Sequence, residues 1–148
     1  MKTLITLAFI AATSAGTAMA ERINVTSNAN VATSVERLTD AVEIAGARIF
    51  NVIDFAQGNA SVGETLRPTT LVIFGSPKIG AKALQQGQTM ALNLPLRILF
   101  FEDANGQTWA TYDDPTAVAP SHGLVADHPA VLAMKGALEK FSAAATGE

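Results

Sequence analysis

The sequence predicts an α+β domain: a five-stranded, largely antiparallel sheet with helices packed on one face. Three observations carry this. Apolar, β-branched segments alternate with segments whose apolar residues recur at helical spacing, in the order strand, helix, strand, strand, short helix, two strands, short turn, helix. The last two strands flank Asp103-Ala104-Asn105-Gly106, a tight-turn signal. The final helix carries one continuous apolar stripe, which gives the sheet a layer to pack against.

The chain begins with a segment that is not part of this fold. Lys2 is followed by the apolar run Leu4 to Ala12 and by Ala18-Met19-Ala20. A positive start, an apolar core and a small-x-small site read as a secretory signal cleaved after Ala20. The run is shorter than the ~20 residues a membrane span needs. The expectation is a periplasmic or secreted protein, with residues 1–20 removed, one domain over residues 21–142, a fraying tail over 143–148, and no membrane attachment after cleavage.

Ile23 to Thr26 alternates as a first strand. Val31, Val35, Leu38, Val42 and Ala45 follow at helical spacing, with Thr33 and Glu36 as a capping-box pair and Gly46 as the stop. Residues 47–55 (ARIFNVIDF) read as a strand with Ile49, Ile53 and Phe55 on one side and Phe50, Val52 and Asp54 on the other. Gln57 to Pro68 reads as a loop. Thr69 to Phe74 is a near-continuous apolar strand, expected to be central and covered. Ser76-Pro77 opens a helix that ends at Gly87. Leu96 to Glu102 and Gln107 to Tyr112 form the hairpin. Asp114-Pro115 opens a helical turn, and Pro129 to Phe141 places Val131, Met134, Leu138 and Phe141 on one core-facing stripe.

Composition excludes several function classes. The chain has 10 basic and 13 acidic residues with no basic block, so binding nucleic acid through phosphate contacts is not expected. It has no cysteine, which removes thiolate metal sites, Fe–S clusters, thiol nucleophiles and covalent haem attachment. No zinc signature, dinucleotide fingerprint or Ser/His/Asp arrangement is present, so neither a resident metal nor a particular cofactor is indicated.

Several motifs carry a family resemblance. IDFAQGNASVG, LRPTTLVIFGSPKIG, LNLPLRILFFEDANGQTW, YDDP and SHGL together resemble the DUF302 family, over roughly residues 23–140. The resemblance implies a TBP-like β-α-β(4)-α domain, commonly a homodimer, and no established activity. Family members commonly have Asp-His-Ala where this chain has Asp54-Phe55-Ala56, whereas His122 in Ser121-His122-Gly123 matches a histidine seen in the family.

A few residues could carry chemistry. His122 suits a general base or a ligand, and equally a loop-fixing hydrogen bond, which is the leading reading. Asp54 could orient His122 as a catalytic pair, or cap the Gln57–Gly58 turn. Ser76 and Lys78, at a helix start, could hold an anion with Arg67, Tyr112 and Asp113 beside them; capping is the simpler role for Ser76. His128, before Pro129, reads as a solvated cap. The leading functional expectation is a non-catalytic homodimeric module that binds a small ligand, an anion among the candidates, near Asp54, Lys78 and His122. The alternatives are a hydrolase-type enzyme using His122 and Asp54, a metal-binding protein using His122 with Asp113 or Asp54, and an interaction module that docks a partner on the uncovered sheet face.

Overall fold

The computed structural model describes residues 21–148; the expected signal segment, residues 1–20, lies outside the described residues. The first strand, β1 (Arg22–Thr26), turns Ile23 and Val25 toward the core and leaves Arg22, Asn24 and Thr26 exposed. Helix α1 (Val31–Ile44) starts at Asn30, whose side chain accepts the Thr33 amide at 2.9 Å. The expected capping box at Thr33 is thereby displaced, because an extended asparagine three residues earlier satisfies one of the free amides of the first turn. The stop is at Gly46 as expected. With φ at +69°, its amide bonds the Glu43 carbonyl and the Ala47 amide bonds that of Val42, the paired bonds of a left-handed glycine cap.

Strand β2 (Arg48–Asp54) departs from simple alternation. Ile49 pairs with Phe74 and Asn51 with Ile73, so Phe50 is an extra residue, a β-bulge. Beyond it, Val52 and Asp54 fall opposite Val72 and Thr70 on the same side as Ile49, while Ile53 falls opposite Leu71 on the other. One inserted residue reverses the facing of all that follow, so the grouping of Ile49 with Ile53 and Phe55 does not hold. Phe55 is not in the strand. It begins a short helix, α2 (Phe55–Ala60), in place of the expected loop.

Strand β3 (Thr69–Gly75) lies inside the sheet, but only one of its faces is covered: Thr70, Val72 and Phe74 are buried, and Leu71 and Ile73 are half-buried. Helix α3 (Pro77–Gln86) leads through Gly87 into a 3₁₀ segment, Gln88–Asn93, and then β4 (Leu96–Glu102). The turn to β5 (Thr108–Asp113) is closed by the Asp103 amide on the Gln107 carbonyl and the Gly106 amide on the Asp103 carbonyl. Gly106 alone in the turn is left-handed, with φ at +79°. The Asp103 carboxylate accepts from Trp109 Nε1 and from the Gln107 and Asn105 amides, and these bonds, Trp109 first, hold it below the usual carboxylate range.

The sheet order is β1-β5-β4-β3-β2, with every pair antiparallel. After β5 come α4 (Pro115–Val118), a 3₁₀ turn (Ala119–His122) and α5 (Pro129–Thr146). Helices α1 and α5 cover one sheet face. Leu38 and Val42 from α1, and Val131, Met134 and Leu138 from α5, are 0–2 % exposed against Val72, Phe74, Ile98 and Phe100. Each such side chain contributes roughly 1.5–3 kcal/mol by leaving water. The segment expected to fray is instead the end of α5. Ala145 and Thr146 are buried, and the Thr146 carbonyl accepts the Asn28 amide at 3.0 Å, which ties the helix to the start of α1.

An ion pair between a buried carboxylate and a partly exposed ammonium fastens α4 to α5. The Asp114 side chain, 6 % exposed, accepts from the Thr116 amide and hydroxyl and from Lys135 Nζ at 2.8 Å. Burial raises the Asp114 pKa, but the bonds from Lys135 and Thr116 outweigh it and the net shift is downward. A carboxyl depressed below its unfolded value of about 4 adds stability above that value and loses it as pH falls through the folded one. Urea unfolding should therefore show a drop in midpoint below about pH 4, and Asp114→Asn should shrink that drop. An unchanged acid limb in the variant would count against the pair.

Candidate functional site

Strand register separates the candidate residues into two groups. Asp54 ends β2 and pairs with Thr70, the second residue of β3; Arg67 precedes β3, and its Nε donates to the Glu102 carbonyl at 3.0 Å, beside the β4–β5 turn. Ser76 follows Gly75, which pairs with Arg48 at the other end of β2. The six residues of strand between these ends span about 20 Å. Lys78, Tyr112 and Asp113 belong to the Ser76 end, since β5 finishes where β4 begins.

His122 also lies at that end. Its Nε2 is 2.8 Å from Asn93 Oδ1 and its Nδ1 is 3.1 Å from Thr89 Oγ1. With Asn93 Oδ1 as acceptor, Nε2 carries the proton and Nδ1 accepts from the Thr89 hydroxyl. Both ring nitrogens are engaged in joining the two 3₁₀ segments, which is the loop-fixing arrangement. Asp54 is engaged elsewhere: its carboxylate accepts the Gln57 amide at 2.9 Å and caps α2. The two members of the expected catalytic pair are not brought together.

The remaining candidates disperse as well. Ser76 occupies the N-cap position of α3, but its hydroxyl makes no cap bond, contrary to the capping role expected. Lys78 is exposed. Tyr112 is 7 % exposed on the helix-covered face, and burial pushes its phenol pKa up. Asp113, one residue on, points to the opposite face and lies 3.5 Å from Arg22. His128 caps α5, its Nδ1 accepting the Ala130 amide at 3.2 Å. Among the described residues, no group of three or more His, Cys, Asp or Glu side chains gathers at metal-binding separations.

What the fold does assemble is an apolar cleft of about 720 Å³ between α3 and α5, at the Ser76 end of the sheet. Phe74, Leu96, Met134 and Phe141 form its floor, with the Phe74 and Phe141 rings edge to face at 5.4 Å. Ile79, Gly80 and Leu84 of α3 make one wall. The other is a stripe on α5, Ala133, Gly136, Ala137 and Lys140, spaced three and four apart on one helix face. Small residues leave the space open. A methyl group added at Gly136 would meet no neighbouring atom within 4 Å, and one at Gly80 would meet Leu94 Cδ1 at 3.9 Å.

The volume falls in the range of small-molecule sites, roughly 300–1,000 Å³, and the lining matches their apolar character. Of the predicted site residues, Ser76 alone lines this cleft. Sequence reasoning missed Ala133, Gly136, Ala137 and Lys140. Their signal is a second, small-residue stripe on α5, beside the large one that packs the core.

The family model described as Domain of unknown function DUF302 matches residues 23–145. The crystal structure of an uncharacterized conserved DUF302 protein from Bacillus stearothermophilus aligns with a TM-score of 0.67 at 18% identity, covering 85% of this chain and 95% of that one. That likeness is one of fold. Among curated proteins, this chain is 34% identical over 125 residues to fluoride-specific ion channel FluC 1 of Brucella suis, covering 82% of this chain and 49% of that protein. It is equally similar to FluC 1 of Brucella abortus and FluC 2 of Brucella melitensis, covering 46% of each. The chain thus spans about half the length of the curated relatives it matches. No helix among the described residues is long and apolar enough to cross a membrane.

Proposed function

This chain belongs to the DUF302 family, and we propose that it is an exported, non-catalytic module that binds a small, largely apolar molecule in the cleft between α3 and α5. The single observation that carries this reading is the cleft itself. An apolar hollow of about 720 Å³, lined by Gly80 and Gly136 among small residues, lies on the same side of the sheet as the core. Water there makes few hydrogen bonds, so its replacement by an apolar body is favourable. The proposed ligand position is thus the α5 stripe and not the neighbourhood of Asp54, Lys78 and His122 expected from sequence. The export part of the proposal rests on the signal pattern of residues 2–20.

The neutral apolar dye N-phenylnaphthylamine tests the reading. It should brighten on binding the protein, and Gly136→Phe should abolish the signal, because the new ring occupies the hollow. Circular dichroism should show the variant folded. An undiminished signal in Gly136→Phe would rule this cleft out.

The module pairs with a second copy through its uncovered sheet face. Ile73, Leu99, Phe101 and Trp109 lie there only half-buried, and an antiparallel sheet open on one side readily takes a partner. Light scattering should give twice the chain mass, and Leu99→Glu should give the monomer mass. A second reading comes from the relatives named as fluoride-specific ion channels: the same face docks on a membrane-embedded partner. Among the described residues the helix-backed sheet ends in open edges at β1 and β2, an arrangement unsuited to spanning lipid itself. A monomeric wild-type protein would favour this second reading over the dimer.

A further inference from the structure

We propose that the cleft takes an apolar monoanion, a molecule with a hydrocarbon body and one acidic head, and that Lys140 is the counter-ion of that head. The inference rests on the binding reading above and assigns its ligand class. Among the described residues, Lys140 is the one charged residue lining the hollow. It sits three residues beyond Ala137 and four beyond Gly136, so its stem prolongs the small-residue stripe while its ammonium reaches the rim. Its Nζ lies 6.0 Å from the centre of the Phe141 ring, over the apolar floor.

Two comparisons within the molecule favour an acid. Lys135, on the same helix, is engaged by Asp114 and Glu139, whereas Lys140 forms no ion pair among the described residues. No carboxylate of the described residues lines the cleft to repel an anion or to attract a cation. Ser76 adds a hydroxyl on the lining that makes no cap bond to α3 and is thus free to donate. A head held by an ammonium near an apolar surface gains a charge-assisted hydrogen bond, which a neutral head cannot match. A cationic head would be repelled.

Calorimetry on the exported protein, with defined amphiphiles below their aggregation limits, tests the proposal. Dodecanoate should bind about ten-fold more tightly than dodecanol, and dodecyltrimethylammonium more weakly than either. Lys140→Gln should bring dodecanoate down to the level of dodecanol, and Lys140→Arg should restore most of the difference. Naphthoate in place of dodecanoate distinguishes a flat acid from a chain acid, and tighter binding of either acid than of its alcohol supports the class. Equal affinities for acid and alcohol, or no change in Lys140→Gln, would overturn it. If N-phenylnaphthylamine still binds and is still lost in Gly136→Phe, the ligand class alone has failed. If neither dye nor acid binds, the binding reading has failed with it.

Discussion

Phe74→Ala is expected to cost about 3–5 kcal/mol of stability, the range for removing a large aromatic ring from a packed core. Phe74 is fully buried at the point where β3, α5 and the cleft floor meet. It pairs across the sheet with Ile49 on one side and Leu96 on the other, and its ring meets Phe141 edge to face, interplanar 88°. Removing the ring forfeits its transfer free energy and that aromatic contact, the latter about 0.5–1.5 kcal/mol. The space left cannot close cheaply, because its neighbours are fixed by the sheet on one side and by α5 on the other. The void would join the cleft, so the same variant should also loosen ligand contact with the floor. Urea unfolding gives the stability and dye titration the binding. A loss below about 1 kcal/mol would mean that Phe74 does not pack as described.

Gly87→Ala is the second. The backbone here is extended, with φ at −152°, so the glycine is not required for its conformational freedom. It is required for room. A methyl group on Gly87 would collide with the His122 carbonyl oxygen and lie 2.7 Å from Leu124 Cδ1. The first of these is backbone and cannot turn aside. The 3₁₀ turn Ala119–His122 would have to move away from the segment Gln88–Asn93, and the His122 bonds to Thr89 and Asn93 would stretch or break. The expected cost is at the upper end of the roughly 1–3 kcal/mol typical of overpacking. Gly87 does not line the cleft, so dye affinity should hardly change. His122→Ala should cost less alone, and combining the two should cost less than their sum, because both act on one junction. Full additivity would argue that the histidine and the close approach are unrelated.

Much of the fold is legible because its signals are local. The Asn105-Gly106 turn, the Gly46 stop, the Asp114-Pro115 start and the Val131–Phe141 stripe each depend on a few adjacent residues, and each appears where expected. The departures have local causes too. Asn30 outcompetes Thr33 as a cap, and the bulge at Phe50 reverses a strand's facing. The last turn of α5 reads as a tail because Ala143–Thr146 offers only small side chains; it is helical because Thr146 is held by Asn28 and Ala145 is buried.

The sequence by itself carried the motifs that resemble the family, and it determined the α+β class, the five strands and the core stripe of the last helix, the latter three because periodicity and turn chemistry act over a few residues. Where the polar candidates stand relative to one another was decided by strand register, which carries Asp54 and Arg67 to one end of the sheet and Ser76, Lys78 and His122 to the other. Only the tertiary structure created the cleft. Ala133, Gly136 and Ala137 are ordinary helix residues until α3, over forty residues earlier in the chain, is laid beside them. An empty space has no residue of its own, and its shape and the charge of Lys140 at its rim come together only between surfaces that the chain brings side by side.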